Sequence, residues 1–156
     1  MPETPLTKRL DILVWIAMAA FTASWFMPVL DDVPGWMAFR YALAPLVPYD
    51  GVGNLSAEDS VPQILSALTN IVFVIMAALW VTNQRMRTGL FVRVGLACFL
   101  LNLYWPVKAI REGGLGDILF GYYVWEAAFA LLLAVAVMAA VASRRTSTTP
   151  TAGTPS

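Results

Sequence analysis

Ile118-LFGYYVWEAAFALLLAVAVMAAV-Ala142 decides how this chain must fold. These twenty-five residues hold a single charge, Glu126, and no proline. A helix rises 1.5 Å per residue, so about twenty residues of this kind cross the ~30 Å hydrocarbon layer of a bilayer. Three more such stretches precede it: Leu10–Leu30, Val61–Thr82 and Gly89–Val107. In a chain of 156 residues they leave little for a water-soluble domain. The expected fold is all-α and polytopic, with four transmembrane helices in an antiparallel bundle spanning residues 10–142. A short segment (1–9) precedes the bundle, an outer loop occupies 31–60, and a disordered tail covers 143–156.

Composition points the same way. Apolar residues make up 59% of the chain and charged residues 13%, a balance that a soluble protein of this size could not bury. The charges lie almost entirely between the apolar runs. Lys8, Arg9, Arg85, Arg87, Arg93, Arg144 and Arg145 fall on one side of the expected bundle. Arg40, Lys108 and Arg111 fall on the other, together with Asp31, Asp32, Asp50, Glu58, Asp59, Glu112 and Asp117. Because basic residues accumulate on the cytoplasmic side, both termini are expected there. A cleaved signal peptide is the alternative for the first run, with Ala17-Met18-Ala19 or Thr22-Ala23-Ser24 as the cleavage site. The run continues through Trp25, Phe26 and Met27, however, and is longer than an ordinary signal core.

Local signals mark the ends of the elements. Within the outer loop, Pro34–Leu43 reads as a short amphipathic helix capped by Asp32, or as a compact loop over the bundle mouth. Asn54-Leu55-Ser56 matches a glycosylation sequon. Ser60 with Gln63 forms a capping-box pattern at the start of the second span, and Asp117 is placed to cap the fourth. The third span is expected to stop at Trp105-Pro106. Tryptophans and tyrosines near the span ends read as an interfacial aromatic belt.

Polar residues inside the spans are where a function could reside. Glu126 comes first, since a carboxylate at that depth costs on the order of 2–3 kcal/mol and is seldom idle. Counted inward from the outer ends at 1.5 Å per residue, Ser24 lies ~9 Å deep, Asn102 ~8 Å, Asn70 ~13 Å and Glu126 ~12 Å. Each shares a stripe with small residues: Ala17-Ala20-Ser24, Ser66-Asn70-Ala77, Gly95-Cys98-Asn102 and Glu126-Ala130-Ala134. Small residues let helices approach and polar ones bond between them, so an interior polar cluster opening outward is expected. Such a cluster serves either to hold the helices together or to bind or relay something.

Enzyme signatures are missing from the sequence. It has no histidine and one cysteine, Cys98, so the commonest metal and haem ligands and any intrachain disulfide are lacking. It has no phosphate loop, nucleophile elbow or carboxylate cluster suited to a metal. No cofactor and no catalytic residue are expected, and the basic residues are too few for a nucleic-acid site.

Ser24-x-x-x-Pro28, Pro34-Gly35-Trp36, Leu65-Ser66-Ala67-Leu68-Thr69-Asn70 and Gly121-Tyr122-Tyr123-Val124-Trp125 carry a likeness. The chain resembles small four-span bacterial inner-membrane proteins of unknown function over residues 20 to 140. Glu126, directly after the tryptophan, departs from that pattern. The resemblance implies an inner-membrane location and no activity. The expected role is therefore non-enzymatic, acting in the lipid bilayer through a protein partner or a homo-oligomer, as an accessory, assembly or immunity-type protein. The alternative is a small transporter, channel subunit or ligand-binding protein using Glu126, Asn70, Asn102 and Ser24.

Overall fold

A computed structural model describes residues 5–47, 57–82 and 88–147. It is mostly helical: α1 (Pro5–Ser24), α2 (Gly35–Ala42), α3 (Ala57–Val81), α4 (Thr88–Asn102), α5 (Tyr104–Glu112) and α6 (Phe120–Ser147). Two short strands, β1 (Pro28–Leu30) and β2 (Val33–Pro34), lie between α1 and α2, and a 3₁₀ turn, Leu115–Asp117, precedes α6. The sequon at 54–56, Asp50, and Arg85 and Arg87 fall outside the described residues.

Three helical stretches are long and apolar enough to cross a membrane: Ser60–Val81, Thr88–Glu112 and Phe120–Arg144, of 22, 25 and 25 residues. Without water, backbone N–H and C=O groups have only each other, which is why such sequences become continuous helices. α1 is not among the three, because Lys8, Arg9 and Asp11 lie within its first two turns. Its helix also ends at Ser24, so the stretch expected to span Leu10–Leu30 is helical for only its first part.

Helix packing follows the 3–4 spacing of the sequence. Leu10, Val14, Ala17, Phe21 and Ser24 are buried on α1, and Phe91, Gly95, Cys98 and Asn102 on α4. Steps of four and three residues keep one seam facing a neighbour, as in left-handed helix pairs. α6 packs along α1 and α4, and α3 packs against α4 and α1. Trp80 Nε1 donates to Asp11 Oδ1 at 2.8 Å, so the C-terminal end of α3 meets the N-terminal end of α1. At the other end Gly121, near the start of α6, abuts Met27 and Pro28, just past the end of α1. Neighbouring helices therefore run antiparallel, and Lys8, Arg9, Arg93 and Arg144 share one end of the molecule. Ile12, Trp15, Ile16, Leu65, Leu68, Ile71, Val74, Ile75, Val137 and Val141 face outward, an apolar surface suited to lipid.

The opposite end is closed by a small hairpin. Asp31 and Asp32 adopt left-handed conformations (φ 43° and 63°) and reverse the chain between β1 and β2. Short polar side chains tolerate this region better than most. The Gly35 N–H donates to the Met27 carbonyl and the Trp36 N–H to that of Trp25, both at 3.0 Å. The Leu119 N–H reaches the Val29 carbonyl at 3.1 Å, which ties the hairpin to the entry of α6. A Cβ at Gly35 would stand 2.5 Å from the Ser24 carbonyl oxygen, and one at Gly121 the same distance from that of Pro28. Gly121→Val should therefore cost about 1–3 kcal/mol through overpacking. Thermal unfolding in detergent would show it, with Gly89→Ala as the control, since a Cβ there meets nothing within 4 Å.

Several expected boundaries need correction. α3 starts at Ala57, so Ser60 lies inside the helix and does not cap it. α2 follows Pro34 with no side-chain cap, and Asp32 is spent in the turn. Asp117 closes the 3₁₀ turn three residues before α6. α4 ends at Asn102, four residues before Pro106, but the helical stretch does not end there: proline is tolerated in a first turn, and α5 carries the chain on to Glu112. α6 continues past Ala142 to Ser147, so the first residues of the expected tail are helical. The expected Glu126-Ala130-Ala134 stripe is not the buried face of α6. Ala134 is exposed, while Ala128, Phe129, Leu132, Val135 and Ala136 are buried between two neighbouring helices.

Candidate functional site

Asn102 organises the polar layer. It is wholly buried at the end of α4, four residues before Pro106. Proline has no N–H, so the carbonyl of Asn102 loses its usual helical donor. The Tyr122 hydroxyl donates to that carbonyl instead, linking α6 to α4. On the side chain, Oδ1 accepts from Ser66 Oγ at 3.2 Å, and Thr69 Oγ1 lies at the same distance. Thr69 has one hydroxyl hydrogen and a closer acceptor, the Ser66 carbonyl at 2.6 Å, which leaves Ser66 as the firmer donor to Asn102.

Glu126 follows Tyr122 by one helical turn and is 8% exposed. The Asn102 amide lies beside its carboxyl group. Yet neither Asn102 Nδ2 nor either carboxyl oxygen completes a hydrogen bond of normal geometry. A buried polar group in that position ordinarily costs about 1–3 kcal/mol.

The remaining candidates are placed differently. Asn70 accepts from Trp125 Nε1 at 2.8 Å and donates to the Ala67 carbonyl at 3.1 Å. Ser24 donates to the Phe21 carbonyl of its own helix at 2.7 Å. All four sequence-derived residues are thus buried, but only Asn102 and Glu126 are adjacent as a pair. Asn70 is joined to the residue before Glu126, and Ser24 stands apart. Reading the sequence overlooked Thr69, Tyr122, Trp125 and Gln63 as members of the site. Ser66 and Thr69 share a helix face at three-residue spacing, and that spacing could have revealed them. Trp125, assigned to the aromatic belt, sits inside as a hydrogen-bond donor.

Ser24, Ser66 and Asn70 open onto a cavity of about 580 Å³ at the hairpin end. Trp25 and Phe39 form one side, their ring centroids 5.3 Å apart, with Ala38, Tyr41 and Ala42 completing the α2 wall. α3 contributes Gln63 and Ala67, and Trp105, Tyr122 and Trp125 close the far side. Lys108, Glu112 and Asp117 also line it, with Lys108 Nζ 3.9 Å from Glu112 Oε1. Asn102 and Glu126 do not line the cavity and stand behind Ser66, Tyr122 and Trp125. Toward the other end lies a cluster of rings: Phe21 stacks on Phe73 at 4.3 Å, Phe73 is tilted against Phe129 at 5.0 Å, and Trp125 meets Phe129 edge-on at 5.1 Å between centroids.

Among the described residues no group of three or more His, Cys, Asp or Glu side chains could hold a metal ion. Comparison with protein-family models, curated proteins and solved structures found no match to this chain. Its function has to be read from its own geometry.

Proposed function

We propose that this chain is a four-span protein of the bacterial inner membrane, with both termini cytoplasmic, that binds a small amphiphilic molecule in its outer-leaflet cavity. α1 is the fourth crossing, antiparallel to α6, with Trp25–Leu30 completing the traverse in non-helical form. The sidedness is supported by Lys8, Arg9, Arg93 and Arg144 lying at one end and the acidic hairpin at the other.

The cavity carries the reading. About 580 Å³ falls within the range of small-molecule sites, and aromatic walls bearing a few inward polar groups are their usual lining. The cluster of aromatic rings beneath it favours binding over conduction, because a channel or transporter needs a polar route to the far side. Action through a protein partner or a homo-oligomer, expected from the lack of catalytic motifs, would leave a cavity of this size unexplained.

Native mass spectrometry after extraction in mild detergent tests this. A small-molecule adduct is expected on the wild type and not on Ala38→Phe/Ala42→Phe, which fills the cavity from α2. A bare, partner-bound protein whose thermal stability is indifferent to cavity filling would overturn it.

A further inference from the structure

The hydrogen-bonding capacity left over around the cavity describes the head of its ligand, an inference that rests on the binding role above. The hydroxyl hydrogens of Ser24, Ser66 and Tyr122 are committed to the Phe21 carbonyl, the Asn102 side chain and the Asn102 carbonyl. The side-chain oxygen of Asn70 is held by Trp125. Lone pairs on Ser24 and Ser66 remain, and Gln63 Oε1 is buried without any partner. Those groups accept hydrogen bonds.

Charge and ring chemistry favour a cationic donor to that buried, unpartnered oxygen. Lys108 is the one cation among the lining residues, its Nζ lies 3.9 Å from Glu112 Oε1, and Asp117 adds a second carboxylate, so the charged side chains of the lining sum to one negative charge. The faces of Trp25, Trp105 and Trp125 also attract positive charge. The side proposed as external carries seven acidic residues against three basic ones, which raises the local concentration of cations.

We propose that the cavity takes a primary or secondary ammonium carried on an apolar body, with Gln63 as the interior acceptor. The ammonium could belong to a free amine or to an ethanolamine lipid headgroup. Phosphatidylcholine nanodiscs containing the protein would be titrated with octylammonium, octanol and octanoate, reading saturable quenching of tryptophan emission. Octylammonium should bind at least about tenfold tighter than the other two, a difference of about 1.4 kcal/mol. Gln63→Leu should bring all three within about threefold while leaving octanol binding unchanged. Competition from phosphatidylethanolamine added to the disc would assign the ammonium to a headgroup, and its absence to a free amine; the ammonium class stands in both cases.

Octanoate or octanol matching octylammonium on the wild type would overturn the ammonium assignment and leave the binding role intact. If no probe gives saturable quenching, or if Ala38→Phe/Ala42→Phe binds octylammonium as the wild type does, the cavity reading itself fails.

Discussion

Asn102→Leu should lower the thermal unfolding midpoint by roughly 4–16 °C, the largest loss expected from any single change in the polar layer. The substitution removes the acceptor for Ser66 and the neighbouring group for Thr69. Interhelical hydrogen bonds in membrane proteins contribute about 0.6–1.7 kcal/mol each. Leucine also places a branched carbon chain where a flat amide fits without void, a further overpacking cost of about 1–3 kcal/mol. The total is about 2–4 kcal/mol, and near 150–250 residues each kcal/mol moves the midpoint by roughly 2–4 °C. The Tyr122 bond goes to the backbone carbonyl, so Tyr122→Phe should cause a further loss, non-additive with the first because the two residues are in contact. Differential scanning fluorimetry in one detergent would measure both. A shift below about 2 °C for Asn102→Leu would mean the network contributes nothing to holding α3 and α4 together.

Glu126→Leu should move the midpoint the other way, upward by roughly 3–8 °C. Both carboxyl oxygens are buried and unpaired, a state that costs about 1–3 kcal/mol in unmade hydrogen bonds alone. Leucine removes those groups at similar volume and improves transfer into lipid. Glu126→Gln should gain less, because an amide in the same place still leaves polar atoms to satisfy. The two residues touch, yet opposite signs are expected, since Asn102 satisfies its neighbours and Glu126 is satisfied by none. If Glu126→Leu destabilises the protein, the carboxyl group has a structural partner and its burial is not a functional expense.

The parts of the fold set by solvent were legible in the sequence. The α3, α4–α5 and α6 stretches follow from unbroken apolar runs, and the buried seams on α1 and α4 from residues spaced by three and four. Conformation within an apolar run is another matter. Within Trp25–Leu30, Pro28 has no N–H for the Ser24 carbonyl and marks the end of α1, but the strand that follows is set by Gly35 and Trp36 returning to claim the carbonyls of Met27 and Trp25. Asp31-Asp32 carries no glycine to announce a left-handed turn. Proline at Pro106 reads equally well as a stop or as a first-turn residue, and only packing decides. In the site, the four side chains singled out by depth counting are all buried, but the sequence did not name their partners. A tryptophan at a span end gives no sign of which way its indole N–H points, so the pairing of Trp125 with Asn70 was beyond the sequence.

Pro106 withholds one amide hydrogen, and the phenol that replaces it is also a wall of the cavity. The junction of α4 and α5 is consequently pinned to α6 by the hydroxyl of a ring that a guest molecule would press against, so the contents of the cavity and the seating of α4 on α6 depend on one side chain.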